Sequence, residues 1–138
     1  MLTAIDTNVI SALWSQEPAS LGMKDLLFKM RREGGLVICA PVYAELLAYP
    51  GATSTFVDSF LKDTDIRLEF ELSEGVWLEA AKAFAVYAER RRQEKAKQPK
   101  RLLVDFIVGA HALLETDRLL TLDRSRYQKS FSSLTLVR

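Results

Sequence analysis

The sequence predicts an α/β fold in which helices flank a parallel β-sheet. Five short runs rich in apolar and β-branched residues alternate with longer segments, most of which carry helical periodicity. The chain has 138 residues, 49% of them hydrophobic and 27% charged, as is typical of one soluble globular domain. No apolar run approaches the ~18 residues that a membrane span requires.

The predicted strands and the first helices follow from these runs and from the residues between them. The strands are expected at 2–6, 36–40, 66–72, 118–122 and 134–137. A helix that starts near Leu21 should end at Gly34, since glycine commonly follows the last helical turn. After the second strand, Pro41 suits a first helical turn and Pro50 ends a helix of about two turns.

Two further helices are predicted in the second half of the chain. Ser73 is the expected N-cap of an amphipathic helix that Pro99 should end. The apolar stripe of this helix is expected to pack in the core and consists of Trp77, Ala80, Ala81, Phe84, Tyr87 and Ala88. Residues 103–115 form a second helix that is apolar almost all round and should be buried.

The start of the chain and its single cysteine favour a reducing cytoplasm. The segment from Met1 to Asp6 lacks the basic start and small-residue cleavage site of a secretory signal. Cys39 lies in an apolar strand, where it cannot form an internal disulfide and is expected to be a small core residue. We therefore expect a cytoplasmic protein that neither spans a membrane nor is anchored to one.

Four acidic residues stand alone in apolar surroundings, where a carboxylate is costly and usually has a function. Asp6 and Asp123 each follow an apolar strand at its carboxyl end, where parallel sheets place ligands. Glu45 falls early in the helix after the second strand, and Asp105 falls in the first turn of the helix before the fourth. If strands one and four are neighbours, the four carboxylates converge and need a cation, for which hard oxygen ligands favour Mg²⁺ or Mn²⁺.

The four segments that carry these acids resemble the motifs of the PIN-domain ribonucleases and, more narrowly, of the VapC-type toxins of toxin–antitoxin pairs. The matching segments are 5–10, 42–46, 104–112 and 120–127, in that order along the whole chain. The resemblance implies a single PIN domain over residues 1–138, with a five-stranded parallel sheet in the order 3-2-1-4-5.

The resemblance also implies an activity and a set of site residues. Asp6, Glu45, Asp105 and Asp123 match the family's acidic quartet, which binds one or two Mg²⁺ or Mn²⁺ ions for metal-dependent endoribonuclease activity. Asn8 and Thr121 match polar positions that orient carboxylates or water; a helix N-cap and an ordinary strand residue are their alternatives. His111, about opposite Asp105 on its helix, is expected to be structural.

Partners are implied in the same way. The family pairs such a toxin with a small cognate antitoxin and implies a homodimer; the apolar helices at 21–30 and 53–61 are candidate contact surfaces or plain core faces. The net charge is only +1, yet residues 89–101 hold seven basic and two acidic side chains. This basic block is either a solvated helix end or a contact for RNA or an acidic partner segment, through Arg90, Arg91, Arg92, Lys95, Lys97, Lys100 and Arg101.

Three alternatives to a toxin remain. The first is a phospho-acceptor module, which Asp6 and Thr121 superficially suit, although the adjacent acids and the terminal lysine that such a module needs are missing. The others keep the fold: a non-toxin housekeeping PIN nuclease, and a catalytically silent PIN-like module that binds RNA or protein. The intact acidic quartet favours a nuclease over the silent module.

Overall fold

Five parallel strands form one sheet in the order β3-β2-β1-β4-β5 in a computed structural model that describes residues 1–94 and 100–138. The strands are β1 (Thr3–Ile5), β2 (Leu36–Cys39), β3 (Ile66–Glu69), β4 (Arg118–Leu120) and β5 (Leu136–Val137). Each lies within a predicted run and is shorter than it, because the ends of the runs belong to loops or to the following helix. The predicted α/β class and strand order are confirmed.

Seven α-helices connect the strands in the described part of the chain. They are α1 (Thr7–Trp14), α2 (Met23–Glu33), α3 (Ala40–Leu47), α4 (Ser54–Thr64), α5 (Glu74–Gln93), α6 (Leu103–Glu115) and α7 (Ser125–Gln128). The predicted cap of α5 is confirmed, since the Ser73 hydroxyl accepts a hydrogen bond from the Val76 N–H at 3.2 Å. Gly34 follows α2 as predicted. The predicted helix end at Pro99 lies outside the described residues.

The central strand β1 determines where the loops of the site lie. Thr3, Ala4 and Ile5 are all buried, as in a strand covered on both faces. Ile5 pairs with Leu120 of β4, so the residues that follow these two strands leave the sheet side by side. β2 adjoins β1 on the other side, and Cys39 at its end is buried as predicted.

The helix α5 contradicts one prediction about the core. Trp77 and Ala81 were expected to be buried with the rest of their stripe, but Trp77 is 49% exposed and Ala81 is exposed as well. The buried residues of α5 are Val76 and Ala80, and its main contact is with α6. Trp77 is about 100° further round the helix than Val76, which moves it out of this contact.

The helix α6 is buried over most of its length, as predicted. Its residues 106–112 are buried, whereas Leu103 and Leu114 at its two ends are about half exposed. Among the described residues, no helix combines the length and the apolarity needed to cross a membrane.

Candidate active site

Asp6 is the most deeply buried of the predicted acids, with 3% of its surface exposed. It caps α1, and its Oδ1 accepts a hydrogen bond from the Thr7 N–H at 2.8 Å. Its Oδ2 accepts two more, from the hydroxyls of Thr121 at 2.8 Å and Tyr127 at 2.7 Å. Burial raises the pKa of Asp6, and these hydrogen bonds offset part of that rise because they stabilise the carboxylate.

Thr121 and Asn8 connect Asp6 to the loop after β4. The Thr121 hydroxyl accepts hydrogen bonds from the Asp123 N–H at 3.0 Å and from the Asn8 amide at 3.4 Å. The Asn8 carbonyl oxygen accepts one from the Leu122 N–H at 3.1 Å. Both side chains therefore fix the backbone that presents Asp123. The alternative of Asn8 as a helix N-cap is wrong, since Asp6 caps α1 and Asn8 lies inside it.

Glu45 reaches the same region from α3. Its Oε1 accepts a hydrogen bond of 2.6 Å from the hydroxyl of Thr7, the residue after Asp6. Partial burial raises the pKa of Glu45, and the negative charges of Asp6 and Asp105 raise it further. These interactions place Glu45 near the carboxylates of Asp6, which caps α1, and Asp105 on α6.

Asp105 and Asp123 complete the group. Asp105 lies in the first turn of α6, and its Oδ2 accepts a hydrogen bond from the Leu102 N–H at 3.3 Å. Asp123 accepts one from the Ser125 hydroxyl at 2.6 Å. Partial burial opposes the effect, but this hydrogen bond and the charges of Arg126 and Arg101 lower the pKa of Asp123 below its usual value.

A cation from the chain itself lies among these acids. The guanidinium of Arg126 is 2.9 Å from Asp123 Oδ2 through Nε and 3.7 Å from Asp105 Oδ1 through Nη1. Although burial works against the charged form, Asp105, Asp6 and Asp123 together raise the pKa of Arg126. Sequence reasoning missed this residue, and its position three residues after Asp123 was the available signal.

Tyr127 was also missed. Its ring is fully buried, and both burial and the Asp6 charge raise the pKa of its hydroxyl far above the usual value. A tyrosine in a core needs a hydrogen-bond partner, and here Asp6 provides it. The signal in the sequence was its place within the segment that follows Asp123.

The donor chemistry of the site fits a hard divalent cation, since all four predicted acids offer carboxylate oxygens. Within residues 1–94 and 100–138, however, no three His, Cys, Asp or Glu side chains are arranged so that they could hold a metal ion. The guanidinium of Arg126 lies between two of these carboxylates, those of Asp105 on α6 and Asp123 after β4.

A family model for the PIN domain matches residues 3–131 of the sequence. The chain belongs to the PIN domain family. The resemblance drawn from the four motifs is thereby confirmed, and membership supports a nuclease. No curated protein is similar enough in sequence to count as a match.

Two solved structures share the fold of this PIN domain. VapBC-1 from nontypeable Haemophilus influenzae has a TM-score of 0.63 at 18% identity, over 99% of this chain and 97% of that one. VapBC2 from Rickettsia felis, bound to a DNA fragment from their promoter, has a TM-score of 0.64 at 17% identity, over 99% and 98% of the two chains.

Within the described residues, the basic block of the PIN domain reaches the acidic site through Arg101. Arg101 Nη1 lies 3.8 Å from Asp123 Oδ2, and its backbone N–H donates a 2.6 Å hydrogen bond to the Tyr87 hydroxyl. Beside it is a cavity of about 330 Å³ lined by Phe84, Tyr87, Ala88, Arg91, Arg92, Lys100 and Arg101. Arg90 is in the last turn of α5. Lys95 and Lys97 lie outside the described residues.

His111 is separate from this centre. It is buried, and its Nε2 lies 3.1 Å from Glu69 Oε2 at the end of β3. The structure thus gives it the structural hydrogen bond that was expected.

Proposed function

We propose that this PIN domain is an endoribonuclease that depends on Mg²⁺ or Mn²⁺ and acts in the cytoplasm as the toxin of a toxin–antitoxin pair. We also propose that residues 1–138 work as one domain. The observation that carries the proposal is the convergence of Asp6, Glu45, Asp105 and Asp123 at the carboxyl ends of the strands of a PIN sheet. Four carboxylates in one group are costly unless a cation offsets their repulsion.

In this proposal the four carboxylates hold one or two divalent ions. Such an ion lowers the pKa of a water and polarises the phosphoryl oxygens of RNA for hydrolysis. Other residues of the chain orient the carboxylates that would hold the ion. Thr121 and Tyr127 fix the Asp6 carboxylate, and Thr121 and Asn8 fix the loop that carries Asp123. Groups that orient ligands in this way commonly affect metal affinity.

The basic block supports an RNA substrate. The cavity lined by Arg101, whose Nη1 lies 3.8 Å from Asp123, combines the aromatic rings of Phe84 and Tyr87 with basic side chains. Aromatic rings stack on unpaired bases, and arginine and lysine contact phosphates. We propose that single-stranded RNA passes over this cavity on its way to the carboxylates.

An antitoxin partner is supported by exposed aromatic side chains on the predicted contact helices. Phe28 of α2 is 53% exposed and Phe56 of α4 is 46% exposed. Between them Trp14 packs edge-on against Tyr49, Phe56 and Phe60. We propose that this face, which we call the α2–α4 face, receives the antitoxin, and that the free toxin forms a homodimer.

The nuclease proposal is tested with purified protein and total RNA in Mg²⁺ or Mn²⁺, with EDTA as the metal-free control. We expect cleavage that is lost in Asp105→Asn and retained in Asp58→Asn, an acid outside the centre that pairs with Tyr43 at an exposed position. Cleavage that survives EDTA or Asp105→Asn would refute the proposed centre. If antitoxin-free, metal-loaded protein cleaves no RNA, the silent binding module is favoured instead.

The toxin role is tested by co-expression with the product of an adjacent short reading frame. We expect a complex on size-exclusion chromatography that no longer cleaves RNA. Phe28→Glu should weaken the complex, whereas Phe70→Glu should not, because Phe70 is even more exposed (66% against 53%) but lies after β3, outside this face. A nuclease that forms no such complex would contradict the toxin assignment. A complex that is equally sensitive to both changes would contradict the assignment of the antitoxin to the α2–α4 face.

A further inference from the structure

The position of Arg126 makes it part of the acidic centre rather than of the protein surface. Its side chain is 37% exposed and contacts carboxylates on two separate elements, Asp123 after β4 and Asp105 on α6. The negative charges of Asp6 and Asp105 also act on it. One guanidinium therefore offsets the repulsion that the centre would otherwise have.

The two contacts of Arg126 differ in strength. Its Nε lies 2.9 Å from Asp123, within hydrogen-bond distance, whereas its Nη1 lies 3.7 Å from Asp105, beyond a good hydrogen bond. Asp105 accepts a backbone hydrogen bond from Leu102, and Asp123 has a second cation, Arg101, at 3.8 Å. The contact with Asp105 is thus the weaker of the two and the first to be lost.

We propose that Arg126 is a resident counter-ion of the site, which must leave Asp105 before a divalent ion can bind between Asp105 and Asp123. This inference rests on the proposed function only for the nature of the ion. The side chain has room to move, because it is partly exposed and is carried by the four-residue helix α7. Arg126 therefore sets the metal affinity of the site through competition and is not itself a ligand.

The competition predicts an unusual mutant effect, namely that removing a residue of the site strengthens its metal binding. We compare Mn²⁺ affinity in the unmodified protein, Arg126→Gln and Arg124→Gln by isothermal titration calorimetry. Arg124→Gln is the matched control, since it removes the same charge two residues away, where the side chain donates a hydrogen bond of 3.2 Å to the Leu136 carbonyl. In the unmodified protein the ion must first separate the Arg126 guanidinium from Asp105, 3.7 Å away, and in Arg126→Gln this cost is absent. Arg126→Gln should therefore bind Mn²⁺ at least about tenfold more tightly.

The outcomes separate this inference from the proposed function. Equal affinities in all three proteins, or weaker binding by Arg126→Gln, would overturn the counter-ion role while leaving a metal-dependent enzyme intact. Binding by none of them would overturn both, since removal of Arg126 would then not have exposed a site. A similar gain in Arg124→Gln would show a general charge effect and would also overturn the specific role.

A measurement on the unmodified protein covers the case in which Arg126→Gln does not fold. The Arg126 Nε–H, whose nitrogen lies 2.9 Å from Asp123 Oδ2, gives its own signal in ¹⁵N-correlated spectra. On titration with Mg²⁺ we expect this signal to shift, and its exchange with water to accelerate, in step with the backbone signals of Asp105. If the Asp105 signals respond while that of Arg126 stays unchanged, the ion binds without displacing the arginine and the inference is wrong.

Discussion

Tyr127→Phe tests whether the buried hydrogen bonds to Asp6 hold the centre together. The substitution removes one hydroxyl from a fully buried ring and leaves the ring packing in place. The lost bond is the 2.7 Å contact with Asp6 Oδ2. Hydrogen bonds to charged groups contribute about 1.5–3 kcal/mol, and Thr121 still donates to the same oxygen, so we expect a loss of about 2 kcal/mol.

The assays are urea denaturation for the free energy of unfolding and thermal unfolding for the melting temperature, both followed by circular dichroism without metal at about pH 7.5. For a domain of this size about 1 kcal/mol corresponds to about 4 °C, so the melting temperature should fall by about 8 °C. The matched control is Tyr43→Phe, whose hydroxyl donates to Asp58 Oδ1 at the same 2.7 Å but in an exposed position. That change should cost less than about 0.5 kcal/mol. Equal costs for the two substitutions would refute the argument that burial gives the Asp6 bond its strength.

The pH dependence gives a second check on the same bond. Burial raises the folded-state pKa of Asp6, so its contribution to stability declines as pH rises from the unfolded pKa to the folded one. Loss of the Tyr127 donor raises the folded-state pKa of Asp6 further, so the decline in stability continues to a higher pH. The stability difference between the two proteins should therefore be smaller at acid pH, where Asp6 is protonated in both, and reach its full size above both pKa values. A difference that is the same at every pH would contradict this assignment.

Three further predictions concern other parts of the chain. Glu45→Gln should abolish cleavage yet raise the melting temperature of the metal-free protein at about pH 7.5, since partial burial raises the pKa of Glu45 and its charge therefore opposes folding at neutral pH; unchanged thermal melting would contradict this. Replacing Arg90, Arg91 and Arg92 together by Gln should lower the salt dependence of RNA binding by about two units of log–log slope, and an unchanged slope in filter binding would exclude these side chains as RNA contacts. Gly109→Ala should destabilise the protein by about 1–3 kcal/mol in urea denaturation, because a Cβ would lie 2.3 Å from the buried ring of Phe131, whereas Gly75→Ala, with no atom nearer than 3.7 Å, should cost nothing.

Much of the fold could be predicted because its signals are local. The strand β2 is continuously apolar since both of its faces are covered, and Ser73 caps α5 by accepting a hydrogen bond from the N–H of Val76, three residues further on. The acids of the site could be predicted for a related reason. A lone carboxylate in an apolar segment is costly wherever that segment packs, so Asp6 and Glu45 stood out without any knowledge of their neighbours.

The remaining features depend on contacts between residues that are distant in sequence. The exposure of Trp77 could not be predicted from its spacing, because the position of α6 decides which side of α5 is covered. The bond between Tyr127 and Asp6 joins residues 121 positions apart and exists only because β1 and β4 are neighbours.

The sequence by itself thus determined the α/β class, the approximate strands and the identity of the four acids, since burial and charge leave local patterns. Tertiary structure alone decided which cation accompanies those acids. Arg124 and Arg126 are the same residue type, two positions apart. Only the packing of α7 beside Asp105 directs the Arg126 guanidinium into the centre and the Arg124 guanidinium to the Leu136 carbonyl. Side-chain direction depends on the packing of the whole chain, which no local pattern records.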